Sequence, residues 1–244
     1  MMQREFAFTD QDFQTIRGLI HRYAGISLAD SKQELVYSRL ARRLRATGIK
    51  TFAEYLTFLQ KGHEDEWEAF VNSLTTNLTS FFREAHHFKL LAEHLLRLDK
   101  TQPIHLWCSA CSTGEEAYSM AITAVETFNG FDHPVCIIAS DLDSHVLATA
   151  RAGRFKTEAV QKLGAERAER FFVPDGPGFY KVRPELQRCI EFKRINLLDS
   201  EYPIPHKLDA IFCRNVMIYF DKDTQFGILK KFAPLLHMHG LLFA

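Results

Sequence analysis

The chain has 244 residues, 46% of them hydrophobic and 25% charged, with 30 basic side chains against 30 acidic ones. That balance excludes a protein that coats nucleic acid, and no apolar run approaches the roughly 18 residues that span a bilayer. Five cysteines scattered at 108, 111, 136, 189 and 213 form no disulfide framework, and acids stand where a signal peptide needs an apolar core. An unexported, cytoplasmic globular protein of one or two domains is therefore expected.

The first hundred residues read as helices punctuated by caps. Thr9-x-x-Asp12 opens an apolar-periodic stretch through Phe13, Ile16, Leu19, Ile20 and Tyr23 that stops at Gly25. Ser31-x-x-Glu34 has the capping-box pattern and starts a helix that runs to Gly48. Thr51-x-x-Glu54 repeats the pattern over Phe52, Tyr55, Leu56 and Leu59, and a fourth helix covers about 64–74. After residues 75–82, a fifth runs through Phe88, Leu91, Leu95 and Leu98. These limits predict an all-α domain over 1–74 and a linking segment with its helix over 75–102.

From Pro103 the pattern changes. Ile104–Cys108 is a short apolar run, Glu115–Phe128 is helical, and Val135–Ala139 is a second strand, which is the spacing of a βαβ unit with parallel strands. Further strands are predicted at Ile190–Ile195, Ala210–Cys213 and Leu241–Phe243, with a helix over Asp223–Leu235 before the last. The Pro- and Gly-rich stretch between Phe172 and Phe192 reads as a small hairpin-like insertion in an α/β domain that spans 103–244. Ending on a strand, the sheet is expected to be cut short at the C-terminus.

Ligands of an open parallel sheet bind beyond the carboxyl ends of its strands. The first strand empties into Ala110-Cys111-Ser112-Thr113-Gly114-Glu115-Glu116, with one glycine and two acids where the next helix begins. A pyrophosphate would be repelled there, whereas a nucleoside carrying a sulfonium and an ammonium, as in S-adenosylmethionine, is suited to it. Asp141, after the second strand, is placed to accept hydrogen bonds from two ribose hydroxyls, or else to cap the next helix. Asn196 and Asn215 follow the third and fourth strands; each offers a donor and an acceptor, and each could equally be a turn residue.

Thr75 to Glu84 (TTNLTSFFRE), Ser112-Thr113-Gly114-Glu115-Glu116, Ser140-Asp141, Asn196-Leu197 and Phe212 to Asp221 (FCRNVMIYFD) resemble the CheR family of bacterial chemoreceptor glutamate methyltransferases, in the same order and over nearly the whole chain. The resemblance implies a class I, Rossmann-like S-adenosylmethionine-dependent methyltransferase sheet with a small β-subdomain behind an all-α N-terminal domain. It implies transfer of a methyl group to receptor glutamates, with S-adenosylhomocysteine as product. By the same resemblance Asn77, Thr79, Arg83, Glu116, Asp141, Asn196, Leu197, Arg214 and Asn215 contact the cofactor, and Arg83 with Tyr219 flanks the transferred methyl. Some family members have Glu where this chain has Leu78.

Helix 31–47 carries Lys32, Arg39, Arg42, Arg43 and Arg45 against Glu34, and Arg39, Arg42 and Arg43 return to one face. Such a run is ordinarily a solvated face; given the resemblance, it is read as the surface for the acidic methylation helices of chemoreceptors. In some relatives the β-subdomain adds a strand from a receptor C-terminal pentapeptide. Residues 174–180 are a few residues short for that, so pentapeptide independence is expected. A monomer is expected, with no nucleic-acid partner, no membrane insertion and no metal, since nothing completes a site around His86, His87 and His94. Two rivals stand: a cofactor-binding regulator without catalysis, and a disulfide oxidoreductase using Cys108-x-x-Cys111. Phe13, Phe52, Phe70 and Phe88 read as core; Phe81 and Phe82 read as a wall that shields the methyl site from water.

Overall fold

The computed structural model describes residues 4–244; Met1–Gln3, where the reading of the leader begins, lie outside the described residues. Two compact units emerge: residues up to Thr76 with Ile218–Phe226, and Asn77–Met217 with Gly227–Ala244. Ile218–Phe226 was expected within 103–244; it packs instead within the first unit, where Ser27 N donates to Tyr219 O at 2.8 Å and Ile26 bridges Phe220.

The first unit holds α1 (Asp10–Ala24), α2 (Gln33–Thr47), α3 (Phe52–Gln60) and α4 (Glu64–Leu74). Thr9 and Asp12 form the predicted reciprocal capping box, and Gly25 closes α1 in the left-handed region at φ 71. The Ser31 box does not form. A 3-10 turn over Asp30–Lys32 enters α2 without a side-chain cap, and Asp30 is occupied by Arg17 at 3.0 Å. Apolar spacing decides the core: Phe13, Ile16 and Ile20 of α1, Val36, Leu40 and Leu44 of α2, Phe52 of α3 and Phe70 of α4 are each at most 1% exposed.

The second unit opens with α5 (His86–Arg97) and continues as β1 (Ile104–Cys108), α6 (Glu115–Phe128), β2 (Val135–Asp141) and α7 (Ser144–Ala152). Then come β3 (Arg154–Lys156), α8 (Thr157–Gln161), α9 (Ala165–Phe171), β4 (Phe172–Pro174), β5 (Phe179–Val182) and α10 (Pro184–Gln187). The chain returns through β6 (Ile190–Arg194) and β7 (Leu208–Phe212), then α11 (Lys222–Phe232), which belongs to this unit only from Gly227, and β8 (Leu236–Phe243). Five parallel strands lie in the order β6-β2-β1-β7-β8, so the chain reverses direction across the sheet at β1. Their carboxyl ends therefore share one edge, the place where such sheets bind ligands.

The small antiparallel sheet has the order β3-β5-β4. It thus begins at Arg154, ahead of the predicted limits of 172–192, and excludes β6, which belongs to the large sheet. Three residues are too few for alternation to be seen in the sequence, which is why β3 was invisible there. Phe88 is 3% exposed in the main core, alongside Leu91, Leu106, Phe172 and Phe212.

Candidate cofactor site at the strand ends

The loop after β1 is shaped by backbone first. Cys111 N donates to Ser140 O at 2.8 Å, which ties the loop to β2. Ser112 is then forced to φ 50 and Gly114 to φ 103. A side chain at Gly114 would meet Ala150 Cβ at 3.0 Å, so α7 approaches too closely for any residue but glycine. This compression aims Ser112 N at Asp141 Oδ2, 2.9 Å away.

Asp141 ends β2 and does not cap α7. Asp143 does that, accepting from His145 N and Val146 N. The two oxygens of Asp141 accept Ser112 N and Asp143 N at 2.9 and 3.0 Å, which fixes the carboxylate and leaves lone pairs free for ribose hydroxyls. Burial pushes its pKa up to about 6 in spite of those two backbone donors. Asn77 joins the same cluster: its Nδ2 donates to Asp143 at 2.9 Å and its carbonyl accepts Ser112 Oγ at 3.0 Å. Asn77, Ser112, Asp141 and Asp143 thus form one bonded group. Ser112 and Asp143 were missed as members because their contribution is a bond to another loop, which spacing does not reveal.

A second group surrounds Arg214, whose side chain is 1% exposed. Its Nη1 donates to Glu116 Oε2 at 2.9 Å and its Nη2 lies 3.3 Å from Glu84 Oε2. Glu84 also accepts Asn215 Nδ2 at 3.1 Å. Glu84 and Asn215 both adopt left-handed backbone, at φ 55 and 57. Burial raises the pKa of Glu116, Arg214 opposes the rise, and burial likewise raises that of Glu115. Arg214 therefore serves as the counter-ion of the acidic loop as well as a candidate cofactor contact. Glu84 is the residue that sequence reasoning overlooked here, although it stands in the Phe-Phe-Arg-Glu block.

Arg83 is half-buried and donates to Leu78 O at 2.9 Å, folding its guanidinium back over its own segment. Thr79 is half-buried, while Leu78 is 79% exposed. Asn196 forms an Asx turn, accepting Leu198 N at 3.0 Å, and Leu197 is buried with its carbonyl bonded to Tyr202 and Lys231. Tyr219 sits in a 3-10 turn of the first unit. Phe81 packs edge-on against Phe155 and Phe172, and Phe82 against Phe88 with Arg167 over its ring. Both phenylalanines anchor the linking segment to the core.

The three arginines proposed for receptor contact differ in their surroundings. Arg39 donates to Leu74 O and Thr75 O at 2.9 and 2.8 Å, and Arg43 grips Glu66 through two bonds of 3.0 and 2.6 Å. Arg42 alone of the three is exposed.

The oxidoreductase reading is overturned. Cys108 and Cys111 are both fully buried, and burial with nearby carboxylates drives both thiols well above their ordinary pKa, whereas a redox pair needs a stabilised thiolate.

The residues at the strand ends suit a cofactor with a ribose and positive charge: a fixed carboxylate at Asp141 and an acidic helix start at Glu115 and Glu116. Family models decide the class. The CheR methyltransferase, SAM binding domain, matches residues 77–244, and the CheR methyltransferase, all-alpha domain, matches 11–75. The chain belongs to the CheR methyltransferase family. Chemotaxis protein methyltransferase 2 of Pseudomonas aeruginosa is 51% identical over 99% of this chain and 87% of its own length. The chemotaxis protein methyltransferase of Escherichia coli is 47% identical over 100% of this chain and 86% of its own length. This CheR chain is thus an S-adenosylmethionine-dependent methyltransferase of class I fold with an all-α domain before it. Among the described residues no helix is long and apolar enough to cross a membrane.

Proposed function

We propose that the chain transfers the methyl group of S-adenosylmethionine to glutamate side chains of bacterial chemoreceptors, leaving glutamyl methyl esters and S-adenosylhomocysteine. The observation that carries the reading is the bonded group of Asn77, Ser112, Asp141 and Asp143, which fixes a carboxylate for ribose at the edge where the sheet reverses. Kinship with chemotaxis protein methyltransferases supplies the substrate class. When bound, the cofactor supplies an electrophilic methyl on a positively charged sulfur.

Asp141 would hold the ribose and Glu116 the amino group, and Asn77, Thr79, Arg83, Asn196, Leu197, Arg214 and Asn215 would line the remainder. A glutamate is ionised at neutral pH, so no general base is needed. What the chain supplies is position and exclusion of water. Arg83 and Tyr219 take the catalytic positions: Arg83 orients the incoming carboxylate through charge-assisted bonds, and Tyr219 adds its hydroxyl. A regulator without catalysis would have no use for that pair.

Receptor methylation helices dock on the α2 face at Arg39, Arg42 and Arg43, with Arg42 the exposed contributor. The link between β4 and β5 spans only residues 175–178, and Arg154 closes it by bonding Asp175 at 2.7 Å. This short, braced loop favours independence from a receptor C-terminal pentapeptide. The enzyme acts in the cytoplasm as a monomer.

Transfer of a labelled methyl group to receptor-containing membranes, followed by alkali, tests the reaction. Release of methanol is expected, because esters hydrolyse in base and N-methyl products do not. Arg83→Lys and Tyr219→Phe are expected to lower kcat by about 10-fold or more, and in Tyr219→Phe the affinity for S-adenosylhomocysteine is expected to be nearly kept. Unchanged turnover in both would remove them from the catalytic positions.

A further inference from the structure

The sequence shows no partner that completes a metal site around His86, His87 and His94; tertiary structure changes the membership of the set. His94 turns inward, its Nε2 3.0 Å from Asp209 O. His86 and His87 converge at the start of α5, with ring centroids 4.1 Å apart. The left-handed turn at Glu84 brings that carboxylate back to them, with Oε2 3.6 Å from His87 Nδ1. One ligand atom from each of Glu84, His86 and His87 lies within 4.8 Å of the other two.

A second observation points to an occupant. His87 Nδ1 is buried and has no hydrogen-bond partner among the described residues, a condition that native structures relieve with water or an ion. Two imidazoles and one carboxylate with open positions for water make the donor set of a borderline-soft transition cation; Mg²⁺ and Ca²⁺ favour all-oxygen sites.

We propose that Glu84, His86 and His87 bind a divalent transition cation of the zinc type, and that its binding weakens the cofactor site. The coupling rests on the methyltransferase reading above. Glu84 Oε2 also faces Arg214 at 3.3 Å, and Glu84 Oε1 accepts Asn215 at 3.1 Å. A cation that takes Glu84 withdraws the carboxylate shared by Arg214 and Asn215. By linkage, cofactor binding must weaken the cation equally.

Calorimetric titration of ZnCl2 into the full chain, with and without S-adenosylhomocysteine, tests the site. One zinc per chain is expected, with affinity reduced about 10-fold or more in His86→Gln and in His87→Gln, the loss that even outer-sphere substitutions cause. CoCl2 in place of zinc is expected to give a visible spectrum without a thiolate charge-transfer band. His86 is exposed, so its substitution leaves the fold intact, checked by thermal unfolding. Zinc is expected to lower S-adenosylhomocysteine affinity several-fold in the parent chain and to have no such effect in His86→Gln. Absent zinc binding, binding that survives both substitutions, or a thiolate band would overturn the site. Zinc binding with unchanged S-adenosylhomocysteine affinity would overturn the coupling. Failure of S-adenosylhomocysteine to bind in metal-free buffer would count against the methyltransferase site itself.

Discussion

The helical unit and the sheet unit treat their polar groups in opposite ways. In the helical unit, Glu66 is held by Arg43 and by Tyr55 Oη at 2.7 Å, Arg39 by three backbone and side-chain oxygens, and Asp12 by Thr9. Left-handed backbone among its described residues falls only on Gly25, Gly48 and Gly62. In the sheet unit, Phe82, Glu84, Ser112 and Asn215 at the strand-end loops, with Asn129 at the end of α6, carry the left-handed backbone, and Glu115, Glu116 and Asp141 are kept where burial opposes their charge. Strain of that kind costs on the order of 1 kcal/mol per residue and persists where the surroundings over-determine it. The helical unit satisfies its polar groups within itself, whereas the sheet unit keeps strained backbone and buried carboxylates together at its strand ends.

Asp141 gives the largest test of this contrast. Asp141→Ala is expected to weaken S-adenosylhomocysteine binding about 100-fold in calorimetry, the loss of two charge-assisted hydrogen bonds at about 1.5 kcal/mol each. In the parent chain, binding is expected to weaken as the pH falls through about 6, where the Asp141 carboxylate gains a proton. Stability moves the other way. The folded pKa lies above the ordinary value of 3.8, so this group favours the folded state at low pH, and that contribution is lost as the pH rises through about 6. A mutant whose affinity kept the inflection near 6 would show that another group is responsible.

Glu66 is the matching test in the helical unit. Glu66→Ala orphans Arg43 and the buried Tyr55 hydroxyl, and is expected to cost about 2 kcal/mol in denaturant unfolding, less than a fully buried pair because Arg43 is partly solvated. S-adenosylhomocysteine affinity is expected to stay at the parent value, and a large drop would erase the distinction between the two regions. Arg42→Glu makes the smallest change. Stability should shift by no more than about 0.5 kcal/mol, while receptor methylation falls and its salt dependence flattens. Methylation unchanged by that reversal would move receptor recognition off α2.

Periodicity made much of the fold legible. Helices at 10–24, 64–74 and 115–128 and the strand at 104–108 repeat strongly enough for local pattern to place them. Short elements were not legible: β3 has three residues, and α8 and α10 have five and four. The strand β8 was seen only from Leu241 because its first half, His237, Met238 and His239, is exposed and lacks apolar alternation. At the site, Asp141 was readable because it stands at the carboxyl end of a strand, a local fact. Ser112, Asp143 and Glu84 were not, because each acts by a bond to a loop distant in sequence.

By itself the sequence determined the parallel sheet, the helical region before it, the acidic loop and the resemblance that names the chemistry. These follow from local spacing and residue type. Only the tertiary structure decided that Arg214 neutralises Glu116, that Arg43 belongs to Glu66, and that Glu84 turns toward His86 and His87. Such pairings depend on which loops meet at the strand ends, and the strain and burial they impose exist only once the chain has folded.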